Sequence, residues 1–442
     1  MKKICGVVLL ISSGLSVAYA EGLQNFEQVA SAMGNAYAGT AAAAEDASTG
    51  FFNPAALILF KTRQITYSTA ALFNDVTFNG RSTWQSNFTP IPGFLSTQQG
   101  SVNGGKTQYF PAFNEAIPFN DRFAMGLNVG IPFSFASNYG SNSVVRYEGT
   151  RSHFYVVDIT PSFAYLITPK WSAGIGADFD YAHANFDSII GFPSPFFSGN
   201  TLNAFDTYSE NKGGNWGIGW HGGVLYQYSP ATRFGLAYHS QVTFNMSGES
   251  DLTGSLTGLS SVGLINQNLH MKIKTPDSAN FSVYHQLNPQ WELVGSVVYT
   301  DWNKLNNINL NNMVYVINGQ PIIVNKQIPL HLRNSWYTAI GANYLLNSRI
   351  TLRGGLAYDE SPTTQATSII VPDENKLILG TGFQFNLNKM WGFDVGYQHW
   401  FYGNSNRNTT VTAANGIIHT AGQLRQNTNI VGMQITWNIG LL

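Results

Sequence analysis

The sequence predicts an all-β protein: a transmembrane antiparallel β-barrel with a small N-terminal α-helical hatch inside its lumen. Three observations carry that expectation. Charge is scarce while aromatic side chains are abundant, no apolar run is long enough for a membrane helix, and apolar residues recur at every second position along most of the chain.

Charged residues make up 11% of the 442 and aromatics 14%, with 44 glycines, whereas an ordinary soluble domain carries about 25% charge. Yet the mean hydropathy is −0.07, and after the first residues no stretch reaches the roughly 18 apolar positions that a membrane helix needs. A barrel reconciles the two, because its strands turn apolar residues to lipid and small or polar ones to the lumen.

Residues 1–20 read as a secretion signal: Lys2 and Lys3, a mostly apolar run from Ile4 to Leu15, and the small-x-small site Ala18-Tyr19-Ala20. The mature chain would start at Glu21. Cys5, the single cysteine, lies within the signal, so the mature protein holds no thiol, disulfide or cysteine metal site. Removing Lys2 and Lys3 takes the formal charge from −1 to −3 (−1 − 2). No basic excess remains, and nucleic acid is set aside as a partner.

Residues 21–60 differ from the rest of the mature chain. Ala30, Ala32, Gly34, Ala36, Ala38, Gly39 and the run Ala41 to Ala44 are too small and too poor in β-branched residues for a lipid-facing strand. The expectation is a plug of short helices and turns; the alternative is a disordered periplasmic tail.

Residues 61–442 carry the barrel signal. Trp171, Ala173, Ile175, Ala177, Phe179 and Tyr181 alternate with Ser172, Gly174, Gly176, Asp178 and Asp180. Phe123, Met125, Leu127, Val129 and Ile131 alternate with small or polar partners, and so do Val431, Met433, Ile435, Trp437 and Ile439. Turn signals such as Asn120-Asp121, Thr168-Pro169-Lys170, Ser229-Pro230 and Asn288-Pro289 separate the runs. Polar stretches around 79–105, 187–214, 246–270 and 303–330 are expected as extracellular loops, and chain length gives roughly twelve to sixteen strands.

Gly217-Ile218-Gly219-Trp220-His221-Gly222 matches a dinucleotide-binding pattern by letter. It lies within an alternating strand rather than at a helix N-terminus, so nucleotide binding does not follow. Trp216, Ile218, Trp220 and Val224 are expected on the outside, with Gly217, Gly219 and Gly223 making room inward. No nucleophile elbow or zinc-binding His pair occurs among the nine histidines. His221 and His239 are lumenal by parity, and so are Arg333, Arg349 and Arg353. An arginine there either binds an anionic head group or pairs with the plug or a lumenal carboxylate. Pro132, after Phe123 to Ile131, either ends a strand or kinks it within the wall.

Several motifs together resemble the FadL/TodX outer-membrane transporters of long-chain fatty acids and aromatic hydrocarbons. Glu21-Gly22-Leu23, Met33-Gly34-Asn35-Ala36-Tyr37-Ala38-Gly39, Glu45-Asp46-Ala47 and Asn53-Pro54-Ala55 are similar to that family's hatch. Further along come Asn215-Trp216-Gly217, Tyr238 with Ser240, Trp291 with Tyr299 and Trp302, and Trp336 to Gly341. Leu352-Arg353, Gly355, Asp359, Ser361-Pro362 and Val371-Pro372-Asp373 complete the set.

The resemblance implies about fourteen strands, a hatch, no cofactor, no metal, a monomer in the outer membrane of a Gram-negative bacterium, and a hydrophobic small-molecule ligand delivered to membrane lipid. It implies a lateral opening in the region of Gly130, Pro132 and Phe133. It also places the family's second basic ligand near Lys326, beside the Arg333 already singled out. The first falls on Ser188, which carries no charge, and the chain ends Gly440-Leu441-Leu442 where the family usually ends on an aromatic residue. A hydrophobic-compound transporter is therefore expected, against a general diffusion porin or an outer-membrane lipid-modifying enzyme. A porin would carry more lumenal charge and no plug.

Overall fold

The structure is a computed structural model that describes residues 23–26, 28–87, 92–193, 206–254, 264–317, 320–413 and 416–440. The signal expected over 1–20 and the terminal Leu442 lie outside the described residues. Fourteen antiparallel wall strands close into a barrel. They are β1 (Arg63–Ser86), β2 (Leu95–Asn103 and Gln108–Pro118), β3 (Phe123–Asn138), β4 (Arg151–Thr168), β5 (Trp171–Ile190), β6 (Thr207–Ser229) and β7 (Thr232–His239 and Val242–Gly254). The circuit continues through β8 (Leu264–Thr275 and Ser278–Gln286), β9 (Trp291–Thr300 and Asn307–Ile317), β10 (Gln320–Pro329 and Ser335–Asn347), β11 (Ile350–Asp359), β12 (Lys376–Asn386), β13 (Trp391–Tyr402 and Ser405–Ala413) and β14 (Gly416–Ile439).

Closure comes from β14 on β1, paired from Arg63↔Ile439 to Ser86↔Gly416. Every strand then has two neighbours, which satisfies backbone groups that lipid cannot. The connections at one end are tight, and an asparagine side chain caps four of them in the same way. Asn120, Asn288, Asn347 and Asn388 each accept backbone N–H groups two and three residues on, just before the next strand begins. Aromatic pairs sit at that end as an interfacial girdle: Trp171 on Tyr226, Trp291 on Tyr344 and Trp391 on Trp437.

The expected alternation holds on the wall, with Ile175, Trp216, Ile218, Trp220, Met433 and Trp437 exposed to the lipid side. Ile131 departs from it. Expected on the lipid face, it is 5% exposed, because β3 bends inward there. Stretches expected as long loops are largely strand as well. β1 runs to Ser86 and β2 resumes at Leu95, while 303–330 is mostly the hairpin of β9 and β10. Above the bilayer a strand needs no apolar face, so the ladder continues where the alternation stops. Among the described residues, the long connections that leave the ladder are 139–150 and 360–375. They fold together over the mouth, where Tyr139, Val144 and Val145 pack with Ile369, and Glu148 accepts from Ser368 and Ile369.

Candidate transport pathway

Residues 23–60 fill the lower lumen. Two single-turn helices, α1 (Ala30–Met33) and α2 (Thr49–Phe52), lead into a 3-10 helix, Pro54–Leu59. Small residues are required because the hatch backbone lies directly on the wall. A Cβ at Gly235 would strike the Ala41 carbonyl, and one at Gly355 would strike the backbone of Asn35. Asn53 anchors the Asn-Pro-Ala motif. Its Oδ1 accepts from Ala55 N at 3.1 Å and caps the 3-10 helix, with Pro54 at the first position. Its amide donates to Ala41 O at 2.7 Å and to Val224 O of β6 at 3.1 Å.

Charge secures this part of the hatch. Arg353 of β11 pairs with Asp394 of β13 at 2.5 Å and with Glu45 of the hatch at 3.2 Å. Burial pushes the Glu45 carboxyl up, and Arg353 pulls it back. Arg233 donates to the carbonyls of Ala42 and Ala43, Gln434 to Asp46, and Gln398 to Met33 O. His221 and His239 stack at 5.0 Å and reach the carbonyls of Gly50 and Phe51. Parity thus placed both histidines and Arg353 correctly in the lumen. Arg349 is instead exposed, at the turn that follows Asn347.

At the kink, the ladder between β2 and β3 runs from Pro118↔Ala124 to Phe113↔Val129 and ends. Continuing that register would set Pro111 against Ile131 and Phe110 against Pro132; these neighbouring pairs are of opposite hydrogen-bonding type, so one of the two prolines falls where the lapse needs an N–H. On its other side β3 slips register with β4 between Gly130 and Phe133. The groups freed from the ladder are taken up by the first part of the hatch. Asn25 N donates to Pro132 O at 2.7 Å, its amide to Ile131 O at 3.1 Å and to Ser134 Oγ at 2.6 Å. Ile131 N donates to Gln28 Oε1 at 3.0 Å, and Gln24 bridges Phe133.

The lumen above the hatch is apolar. Phe154, Phe186, Phe244, Met246, Met271, Leu310 and Met313 form one buried cluster that reaches Leu23 and Phe133 at the kink and Val324 and Ile328 on β10. Beside the kink lies a cavity lined by Asn25, Phe51, Pro132, Phe133, His239 and three carboxylates, Asp158, Asp178 and Asp180.

Lys326 lies between Val324 and Ile328 on the inward row of β10. Its side-chain amine has no hydrogen-bond or ion-pair partner among the described residues. Arg333 sits on the segment joining the two parts of β10, about half exposed, paired with Glu360 at 3.4 Å and donating to Ser361 O. Ser188 is buried on β5 opposite Ser209. Gly130, Pro132 and Phe133 come together at the kink with the hatch strip, whereas Lys326 lies on the first part of β10 and Arg333 on the segment that joins its two parts.

Residues 11–438 match the sequence profile of a family described as outer membrane protein transport protein (OMPP1/FadL/TodX). The chain belongs to this family. It is 28% identical over 409 residues to the long-chain fatty acid transport protein of Escherichia coli O6:H1, covering 86% of this chain and 87% of the relative. It is 27% identical to outer membrane protein P1 of Haemophilus influenzae, covering 90% and 89%. Among solved structures, a Pseudomonas aeruginosa FadL homologue superposes with a TM-score of 0.80 at 21% identity, over 96% of this chain and all of that one. The Pseudomonas putida toluene transporter TodX gives 0.66 at 14%, over 95% of this chain and all of that one. The fold is thus shared at low identity, and the chain is an outer-membrane transport protein for hydrophobic compounds rather than an enzyme.

For a FadL/TodX member, sequence reading missed three features. Pro111 interrupts the alternating run Gln108 to Pro118 and was legible as an edge signal. Asp158 required the pairing register, which sets it opposite Asp180. The strip around Asn25 carries no local signal, since its partners lie more than a hundred residues away.

Proposed function

We propose that the chain carries long-chain amphiphiles of the fatty-acid type passively into the outer membrane, by capture in the lumen and sideways release at the β3 kink. The observation that supports this best is the apolar lumenal cluster ending where the wall loses its pairing. A water-filled channel gains nothing from such a cluster. A long alkyl chain gains about 0.8 kcal/mol for each methylene kept from water, and sideways release preserves that gain. Lys326 is the proposed contact for an anionic head group on entry: an amine among apolar residues, without an anion of its own, suits a carboxylate.

The test replaces the residues that break the ladder. Pro111→Val with Pro132→Val restores the missing N–H at whichever proline faces the seam and should restore pairing across the lapse. Uptake of a long-chain fatty acid by whole cells should then slow several-fold, with its binding to purified protein nearly unchanged. Uptake at the wild-type rate, with pairing seen restored in a structure of the variant, would sink the lateral route.

A further inference from the structure

We infer that the cavity beside the β3 kink receives a head group that donates hydrogen bonds, an alcohol or an ammonium, and turns away an ionised carboxylate. This names the chemistry of the step before release, and it rests on the lateral-release reading only for the order of events. Asp158, Asp178 and Asp180 line the cavity and are 3%, 5% and 4% exposed. Asp158 and Asp180 face each other directly across β4 and β5. Their carboxyls hydrogen-bond to one another, and no other donor among the described residues reaches the Oδ1 of either. The other oxygen of Asp158 accepts from Thr160 at 2.5 Å, and Asp178 holds the His221 ring at 2.6 Å. A carboxyl pair that shares a proton across this contact keeps lone pairs open to a further donor, and a hydroxyl or ammonium head would supply one.

The charge around the cavity disfavours a carboxylate. Among the described residues no lysine or arginine lines it; the basic group there is His239, whose Nε2 is engaged by Phe51 O. A carboxylate would join a cluster of three acidic side chains, and like charges brought together in a desolvated site repel. The space available to water centres, about 40 Å³, suits a head group and not a long chain. Phe26, Phe51, Val242 and Val298 supply apolar walls for the first carbons, and Pro132 and Phe133 mark the way to the lapse. The entry site around Lys326 has the opposite character. A fatty acid would therefore be held there as its anion and would occupy the kink cavity only as the neutral acid, whose O–H is a donor.

The test is calorimetric, with purified full-length mature protein in detergent and mildly alkaline buffer. A Lys326→Met background removes the charged contact that holds dodecanoate at the entry site, so the Asn variants read the kink cavity. Dodecanol, dodecylamine and dodecanoate differ only in the head group. Dodecanol and dodecylamine should each bind about tenfold or more tightly than dodecanoate. Asp158→Asn with Asp180→Asn should bring dodecanoate to within about threefold of dodecanol. Should the double variant not fold, Asp180→Asn alone should narrow the gap in the same direction. Dodecanoate binding as tightly as dodecanol in the Lys326→Met protein, or an unchanged order in the Asn variants, would overturn the inference. Binding in detergent requires no release, so failure here is separable from failure of the lateral route, which shows in the uptake of the Pro111→Val, Pro132→Val protein.

Discussion

Residues 30–59 and the strip formed by residues 24–26 and 28 belong to one hatch, yet they are fastened to the wall by different chemistry. The larger part is held by ions: Arg353 between Glu45 and Asp394, Arg233 on two carbonyls, and Asp46 shared by Ser31 and Gln434. Among the described residues the strip is held by neutral groups: the Asn25 amide and backbone N–H, the Gln28 amide oxygen, and Gln24, which bridges Phe133 and accepts from Thr300. Truncating one member of a buried ion pair costs about 3–5 kcal/mol, whereas a neutral hydrogen bond contributes about 0.5–1.5 kcal/mol net. The contrast follows position. The part that fills the lower lumen is held by charge, and the part lying against the wall's weak point is held by the weaker neutral bonds.

The largest expected effect comes from removing the central ion. Arg353→Met would leave Glu45 and Asp394 buried without a cation. The free energy of local hatch opening should fall by about 3–5 kcal/mol, read as faster amide exchange over residues 35–53 while the wall strands keep their protection. Unchanged exchange in the hatch would show that the ion triad does not hold it, and the contrast between the two regions would lose its basis.

A smaller effect is expected at the strip. Asn25→Ala removes the donors to Ile131 O and Ser134 Oγ but keeps the backbone bond to Pro132 O. Opening of the strip should become easier by about 1–3 kcal/mol, seen as faster exchange at the backbone amides of residues 25 and 131, with residues 35–53 unaffected. Equal acceleration in both regions would mean that the hatch opens as one body.

The wall was legible in the sequence because lipid imposes period two on every strand that crosses it; Trp171 to Tyr181 and Val431 to Ile439 show this directly. The strand extensions above the bilayer were not, because residues such as Asn309, Asn311 and Gln327 belong to a ladder with no apolar side to mark it. The hatch was legible by contrast, as small residues unfit for a strand. Its fastenings were half legible: parity turned Arg353, His221 and His239 inward, but their partners Glu45, Asp178, Gly50 and Phe51 come from distant segments. The kink was open to two readings at Pro132. The second proline, Pro111, and the loss of the Ile131 lipid-facing position distinguish a bend in the wall from a simple strand end.

The smallest effect is expected at Arg333, which separates a charge that is already partnered from one that is not. Its guanidinium is about half exposed and paired with Glu360, and such exposed pairs contribute about 0–1 kcal/mol. Arg333→Ala should therefore change stability and fatty-acid binding by less than about 1 kcal/mol. Lys326→Met, in contrast, removes an amine with no anion of its own among the described residues. It should weaken dodecanoate binding at the entry site by about 1.5–3 kcal/mol, the net value of a hydrogen bond to a charged group, and leave dodecanol almost untouched. Calorimetry with both ligands on both variants decides the matter. If Arg333→Ala takes the larger loss for dodecanoate, the Glu360 pair must open on binding, and the head-group contact belongs to Arg333 rather than Lys326.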